Sequence, residues 1–238
     1  MSSNACLALL LDGPLQSWGH ASRFERRTTA LHPTRSAIIG LIAAALGIDK
    51  HGPDEAAQLR RFSALRATLI TLPRHSRRAG DLPMQRLEDY HTVTGIRRAS
   101  GKVDDHATVQ TYRHYLLDAR FGVLLEGPST LLEEIAAALL NPKWGLWLGR
   151  KCCLPASPLL VAVKPDPAQA WSELLRRAGY TGTENLGQFD CVIEAAAVDP
   201  GAEAIEDSPV AFGNPIGERH ATRWIRRVSK SAIVNPKS

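Results

Sequence analysis

The sequence predicts an α+β protein. It has a ferredoxin-like (RRM-like) domain over residues 1–148 with a long β-hairpin insertion at about 73–112, and a smaller β-rich C-terminal domain over 149–238. Three observations carry this. Over the first 140 residues the apolar segments run strand, helix, strand, long polar insertion, strand, helix, which is most of a split βαβ unit. The insertion is rich in Arg, Thr, Tyr and Val but has too few apolar residues for a core of its own, and a connection of that length in a compact domain needs a role. Beyond Pro142 the character changes to short apolar runs separated by turn residues.

The elements follow in order. Residues 5–11 read as a strand ended by Gly13-Pro14, and a loop runs on to about residue 33. In the helix 35–46, Ile38, Leu41, Ile42 and Ala45 form a buried stripe at i, i+3, i+4 and i+7; Thr34 or Ser36 can cap it and Gly47 can end it. Ala64 to Leu72 is the second strand. Leu87 to Val93 and His106 to Tyr112 favour the two arms of a hairpin with its tip near Gly95 to Asp105. Tyr115 to Leu125 contains a further strand, with Phe121, Val123 and Leu125 on one side. Thr130 and Glu133 form a capping box for a helix carrying Leu131, Leu132, Ile135, Leu139 and Leu140, stopped by Pro142. A strand at Leu159 to Val163, a helix over 168–178 and a strand at Cys191 to Val198 complete the chain.

The chain has 238 residues, 44% of them hydrophobic, and a formal charge of +5. The charge is segregated. Residues 60–120 hold twelve Arg/Lys against six Asp/Glu, 121–209 hold six against twelve, and 210–238 hold six against one. Two basic regions flanking an acidic one suit a protein with one face toward a polyanion and another toward protein partners; solubility and anionic lipid are the other uses of such patches. Four Cys in a chain this long do not make a disulfide scaffold, and Cys152-Cys153 with only Cys6 and Cys191 elsewhere do not suggest a metal site. The apolar runs are too short to span a bilayer, so a cytoplasmic location is expected, with no membrane partner. No cofactor fingerprint is present: there is neither a phosphate-binding Gly-Lys-Ser/Thr loop nor a dinucleotide motif.

The residues that point to chemistry lie mostly outside the apolar runs. Gly13-Pro14-Leu15-Gln16-Ser17-Trp18-Gly19 is followed by Arg23, Arg26 and Arg27, which gathers an indole and several guanidinium groups on loop sequence. Trp18 either stacks on a base or plugs the loop into the core. Arg35 and the first-turn amides of the helix it opens offer a phosphate a seat. The insertion adds Arg97, Arg98 and Lys102, and Arg150 beside Gly149 can reach a phosphate or bridge the two domains. His32, His75, His91, His106 and His114, with Tyr90, Tyr112 and Lys102, have the chemistry for metal-independent RNA cleavage, but their spacing does not force them together. Tyr90 and His91 read better as a packed or RNA-contacting pair. Glu88-Asp89 and Asp104-Asp105 are adjacent on strands and face opposite ways, so neither builds a two-metal cage.

Five ordered stretches carry a resemblance: Gly13-Pro14-Leu15-Gln16-Ser17-Trp18-Gly19, Pro33-Thr34-Arg35-Ser36 running into Gly40-Leu41 and Leu46-Gly47-Ile48, Asp89-Tyr90-His91-Thr92-Val93, Thr108-Val109-Gln110-Thr111-Tyr112-Arg113, and Leu148-Gly149-Arg150-Lys151 before Cys153. The chain resembles the CasD subunit family of the subtype I-E CRISPR Cascade complex, in the RAMP superfamily. The resemblance implies a non-catalytic guide-RNA-binding subunit that caps the 5′ handle of the crRNA. It also implies that the chain anchors a backbone subunit and the large subunit for recognition of target DNA held by the complex, and that the insertion projects as a thumb against guide RNA and a neighbouring subunit. The candidate RNA contacts are Gln16, Trp18, Arg26, Arg27, Thr34, Arg35, Ser36, Tyr90, His91, Arg97, Arg98, Lys102, His106, Gln110, Arg113 and Arg150, with no catalytic residue, metal or cofactor. Two other readings stand beside this one: a metal-independent endoribonuclease processing CRISPR repeat RNA, and a subunit whose contacts are with protein alone.

Overall fold

Seven consecutive residues, Ala5–Leu11, are buried, which requires a strand covered on both faces. The computed structural model describes residues 3–19, 25–97, 101, 103–213 and 219–230. Its main elements are β1 (Asn4–Asp12), α1 (Arg35–Leu46), α2 (Glu55–Arg61), β2 (Arg66–Thr71), β3 (Gln85–Arg97), β4 (Val103–Leu117), β5 (Arg120–Pro128), α3 (Ser129–Leu140), β6 (Leu160–Lys164), α4 (Pro167–Arg177), β7 (Cys191–Glu194), β8 (Glu203–Pro209) and β9 (His220–Val228). A seven-stranded sheet has the order β6-β1-β5-β2-β7-β9-β8, and all of its pairings are antiparallel. The chain path β1-α1-β2-β5-α3-β6 places β1 and β5 in the middle, with β2 and β6 outside them. The β3–β4 hairpin is inserted between β2 and β5.

One face of the sheet packs Leu7, Leu9, Leu11, Val123 and Leu125 against α1 and α3. The other packs Cys6, Ala8, Leu10 and Leu124 against Leu174 and Leu175 of α4. Alternation along β1 therefore supplies both cores at once. Thr34 caps α1 by accepting from the Ala37 amide at 3.2 Å, and Gly47, at φ 73, ends it.

The structure redraws several expected boundaries. Residues 149–238, expected as a smaller β-rich domain, place β6, β7, β8 and β9 in the same sheet as β1. The strand expected within Tyr115 to Leu125 is β5, which begins at Arg120, while β4 ends at Leu117 and Asp118 turns the chain at φ 48 between them. The expected capping box does not form, because α3 opens at Ser129 straight off β5, with the Ser129 amide donating to the Ser3 carbonyl, so Thr130 lies inside the first turn. Among the described residues no helix is long and apolar enough to cross a membrane.

Candidate nucleic-acid interface

The hairpin is anchored at its base. On one edge β4 pairs antiparallel with Leu15–Gln16 and parallel with Arg26–Arg27, and on the other it pairs with β3. Register sorts the side chains onto two faces. Tyr112 lies opposite both Tyr90 and Arg26, so these three share a face with Gln110, Glu88 and His114. The two tyrosine rings are 5.4 Å apart and the Arg26 guanidinium sits 5.4 Å from the Tyr112 ring centre. The rings are tilted by 51° to each other, and Tyr90 is 53% exposed, so one open aromatic ring faces solvent beside a half-buried ring that carries a cation over its face. His114 Nε2 lies 2.6 Å from Glu88, which also reaches Arg26 at 3.9 Å.

The opposite face carries Leu87, Val93 and Val109, all exposed, together with His91 and Arg113. Val93 and Val109 are directly paired. Tyr90 and His91 consequently point to different faces and do not form the expected pair. Arg113 is held locally by Thr111, whose hydroxyl accepts from Nε at 3.0 Å.

A second loop closes on the hairpin base. Arg150 donates to the carbonyls of His114 and Arg27, both at 2.9 Å, and its guanidinium covers the Tyr115 ring at 4.6 Å. Ser17 Oγ donates to the same His114 carbonyl at 3.1 Å. Gly149 makes this docking feasible: its φ is 99°, and a Cβ there would lie 1.7 Å from the Ser17 carbonyl oxygen. Beside this junction is a cleft of about 320 Å³, walled by Ser17, Gly19, Thr34, Ser36, Gly40, Gly145, Trp147 and Gly149 among others. Lys151 Nζ lies 5.7 Å from the Trp147 ring at its margin. That volume admits a planar base or a phosphate group, with backbone able to approach closely on several sides.

Four expected contacts prove to be internal. Gln16 is fully buried, and its Nε2 donates to the Leu11 and Ala119 carbonyls at 3.0 and 2.7 Å. Trp18 is fully buried in the core, with its backbone amide donating to Thr29 Oγ1 at 2.8 Å; the indole plugs the loop and is closed to a base. Thr34 is committed to its cap. Arg35 does not face a phosphate: its side chain is buried, paired with Glu194, and donates to the carbonyls of Phe62 and Leu65 at 2.9 and 2.8 Å. Burial depresses its pKa, with Glu194 opposing that shift. Its backbone amide is taken by Asp207 at 2.8 Å.

The remaining candidates divide simply. Arg26, Arg27, Tyr90, Arg97 and Gln110 are exposed, while Ser36, His91, Arg113 and Arg150 are half-buried. Arg98 and Lys102 lie outside the described residues, as does the side chain of His106. The sequence reading missed Lys151 at the cleft margin and the split of the hairpin into an aromatic-cationic face and an apolar face. The alternation of Tyr90, Thr92 and Thr94 with His91 and Val93 carried the second signal, once the register was known.

With this geometry in place, comparison with known proteins is decisive. The family described as CRISPR-associated protein (Cas_Cas5) matches residues 6–227. The chain belongs to the Cas5 family. It is 35% identical over 174 residues to the CRISPR system Cascade subunit CasD of Escherichia coli (strain K12), covering 69% of this chain and 74% of that protein. A chain of a solved CRISPR RNA-guided surveillance complex superposes on this Cas5 protein with TM-score 0.69 and 32% identity, over 94% of this chain and 89% of that one. A crystal structure of a Cas protein gives TM-score 0.60 and 30% identity, over 95% and 96%. Among the described residues no group of three or more His, Cys, Asp or Glu is placed to hold a metal ion.

Proposed function

We propose that this Cas5 protein is a non-catalytic, guide-RNA-binding subunit of a Cascade-type CRISPR surveillance complex. In this reading it holds the 5′ handle of the crRNA along the aromatic-cationic face of the β3–β4 hairpin and into the adjoining cleft. The observation that carries it is the Tyr90–Tyr112–Arg26 cluster, with Tyr90 and Arg26 exposed, anchored by a base that Arg150 and Ser17 lock in place. Single-stranded RNA is bound by stacking of splayed bases and neutralisation of phosphates, and this face supplies both. Lys151 provides a further cation at the margin of the cleft. The ferredoxin-like path of the chain gives the hairpin a rigid support, and its apolar face, with Leu87, Val93 and Val109, is suited to anchoring a neighbouring subunit. Relatives described as a Cascade subunit and as part of an RNA-guided surveillance complex support the assignment.

The test is handle-RNA binding by the full chain carrying Tyr90→Ala with Arg26→Ala. Loss of a stacked base costs roughly 1–3 kcal/mol, so affinity should fall by about fivefold or more, and loss of one phosphate contact should lower the salt slope by about one. Unchanged affinity and slope would overturn the proposal. So would specific cleavage of repeat RNA by the purified chain in chelator, abolished by His91→Ala or His106→Ala.

A further inference from the structure

The seven-stranded sheet leaves part of one face uncovered. Cys191 and Ile70 pack toward α4, so the register places Thr68, Ile193 and Arg226 on that same face, followed by Trp224 and Thr222 along β9. On that side α4 packs against β1, β5 and β6, and among the described residues no helix covers the face over β7, β9 and β8. Trp224 is 38% exposed there. Its neighbours explain why the ring stands open: Ala204 lies directly opposite on β8, and on the other side the Ala195 amide donates to the Trp224 carbonyl at 3.0 Å. An indole between two alanines offers its faces to a ligand, where a larger neighbour would cover them.

The charges around the ring are arranged unevenly. Arg226 is two residues along the same strand, and Arg66 lies on the same face of β2. Both are exposed, and among the described residues neither guanidinium has a hydrogen-bond or ion-pair partner. The acidic residues of this face sit at its rims, Glu126 opposite Arg66 on β5 and Glu206 opposite Thr222 on β8. Between those rims the surface is an open ring, two free cations and the small or neutral side chains of Thr68, Ile193 and Ala204.

We infer that this sheet face, centred on Trp224 and Arg226, is a second binding surface for single-stranded nucleic acid, separate from the hairpin. A base stacks on the indole while Arg226 and Arg66 contact the flanking phosphates. The chemistry is sequence-tolerant, because any base has a face to stack and the guanidinium groups meet only the backbone. A protein partner would be expected to pair Glu126 and Glu206 as well as the arginines; a strand crossing the middle of the face leaves both carboxylates at the rims.

The experiment uses the full chain with Tyr90→Ala and Arg26→Ala already in place, so that the hairpin site and the sheet site report separately. The probes are fluorescein-labelled 12-mers of mixed-sequence single-stranded DNA and RNA, read by anisotropy over a salt series. Adding Trp224→Ala should weaken binding by about fivefold or more, whereas Trp224→Phe should stay within about twofold. Arg226→Ala and Arg66→Ala should each lower the salt slope by about one. Because both arginines are exposed and unpaired, these variants decide the matter even where Trp224→Ala fails to fold. Unchanged affinity in Trp224→Ala together with unaltered slopes overturns the inference, as does burial of Trp224 by a protein subunit in the assembled complex.

Discussion

Replacing Arg35 by Ala should unfold this protein more readily and leave the RNA affinity of the folded fraction unchanged. The side chain is 6% exposed and satisfies three acceptors: the Glu194 carboxylate and the carbonyls of Phe62 and Leu65. Glu194 also accepts from the Ala67 amide at 3.2 Å and lies 3.9 Å from Arg223, which itself grips Asp207 through two bonds of 2.5 and 3.0 Å. Removing one partner of a buried ion pair costs about 3–5 kcal/mol. Arg223 stands close enough to take up part of the exposed charge on Glu194, which places the loss near the lower bound, about 3 kcal/mol. For a chain of this size that is a fall in Tm of roughly 6–12 °C. Differential scanning calorimetry gives the stability, and anisotropy with handle RNA, well below the new Tm, gives the affinity. A variant with unaltered Tm but weakened, less salt-dependent RNA binding would refute the argument and return Arg35 to a phosphate.

Alkylation by iodoacetamide at pH 8, followed by mass spectrometry, should modify Cys152 first. Burial pushes the Cys6 and Cys191 thiols up to about 12 and Cys153 up to about 11, so their thiolate fractions fall below an ordinary thiol's by roughly three orders of magnitude for Cys6 and Cys191 and roughly two for Cys153; equal labelling of all four would contradict the packing. Glu184 contributes to acid stability. Desolvation acts to raise its pKa, but hydrogen bonds from Thr181 and Gly182 prevail and hold it at about 2, against an ordinary value of 4.5. A depressed native value stabilises the fold above the unfolded pKa and loses that effect as pH falls toward 2, so the Tm gap between the wild-type chain and Glu184→Gln should shrink from pH 5 to pH 2, and a constant gap would disprove the linkage.

The elements that local pattern specifies were legible in the sequence. The apolar run of β1, the 3.6-residue stripe of α1 with Thr34 and Gly47 at its ends, and the Leu174–Leu175 face of α4 each state their conformation within a dozen residues. The turn at Asp118 was not legible, because a single Asp in the left-handed region leaves no Gly or Pro to mark it. Strands β8 and β9 were missed for a related reason. Glu203–Pro209 is an edge strand carrying Glu203, Glu206 and Asp207, and His220–Val228 carries Arg223, Arg226 and Arg227 among its apolar residues, so neither resembles a buried run. The site suffered from distance. Glu194 and Asp207 are 159 and 172 residues away from Arg35, and no local feature of Pro33-Thr34-Arg35-Ser36 announces them.

That separation explains why the stretches that carried the family resemblance hold so few exposed contacts. Gln16, Trp18 and Arg35 are among the least accessible residues of those stretches, yet each fixes a segment on which an exposed residue depends. Gln16 ties the end of β1 to the β4–β5 turn through Leu11 and Ala119. Trp18 plugs the loop that Ser17 pins to His114, two residues from Tyr112. Arg150 binds the same carbonyl from a different loop and holds Arg27 beside it. The orientation of the Tyr90–Tyr112–Arg26 face is therefore set by partly buried polar bonds converging on one carbonyl of β4. A change at Arg150 would tilt the hairpin while leaving Tyr90, Tyr112 and Arg26 in place, and its effect on binding would act through position.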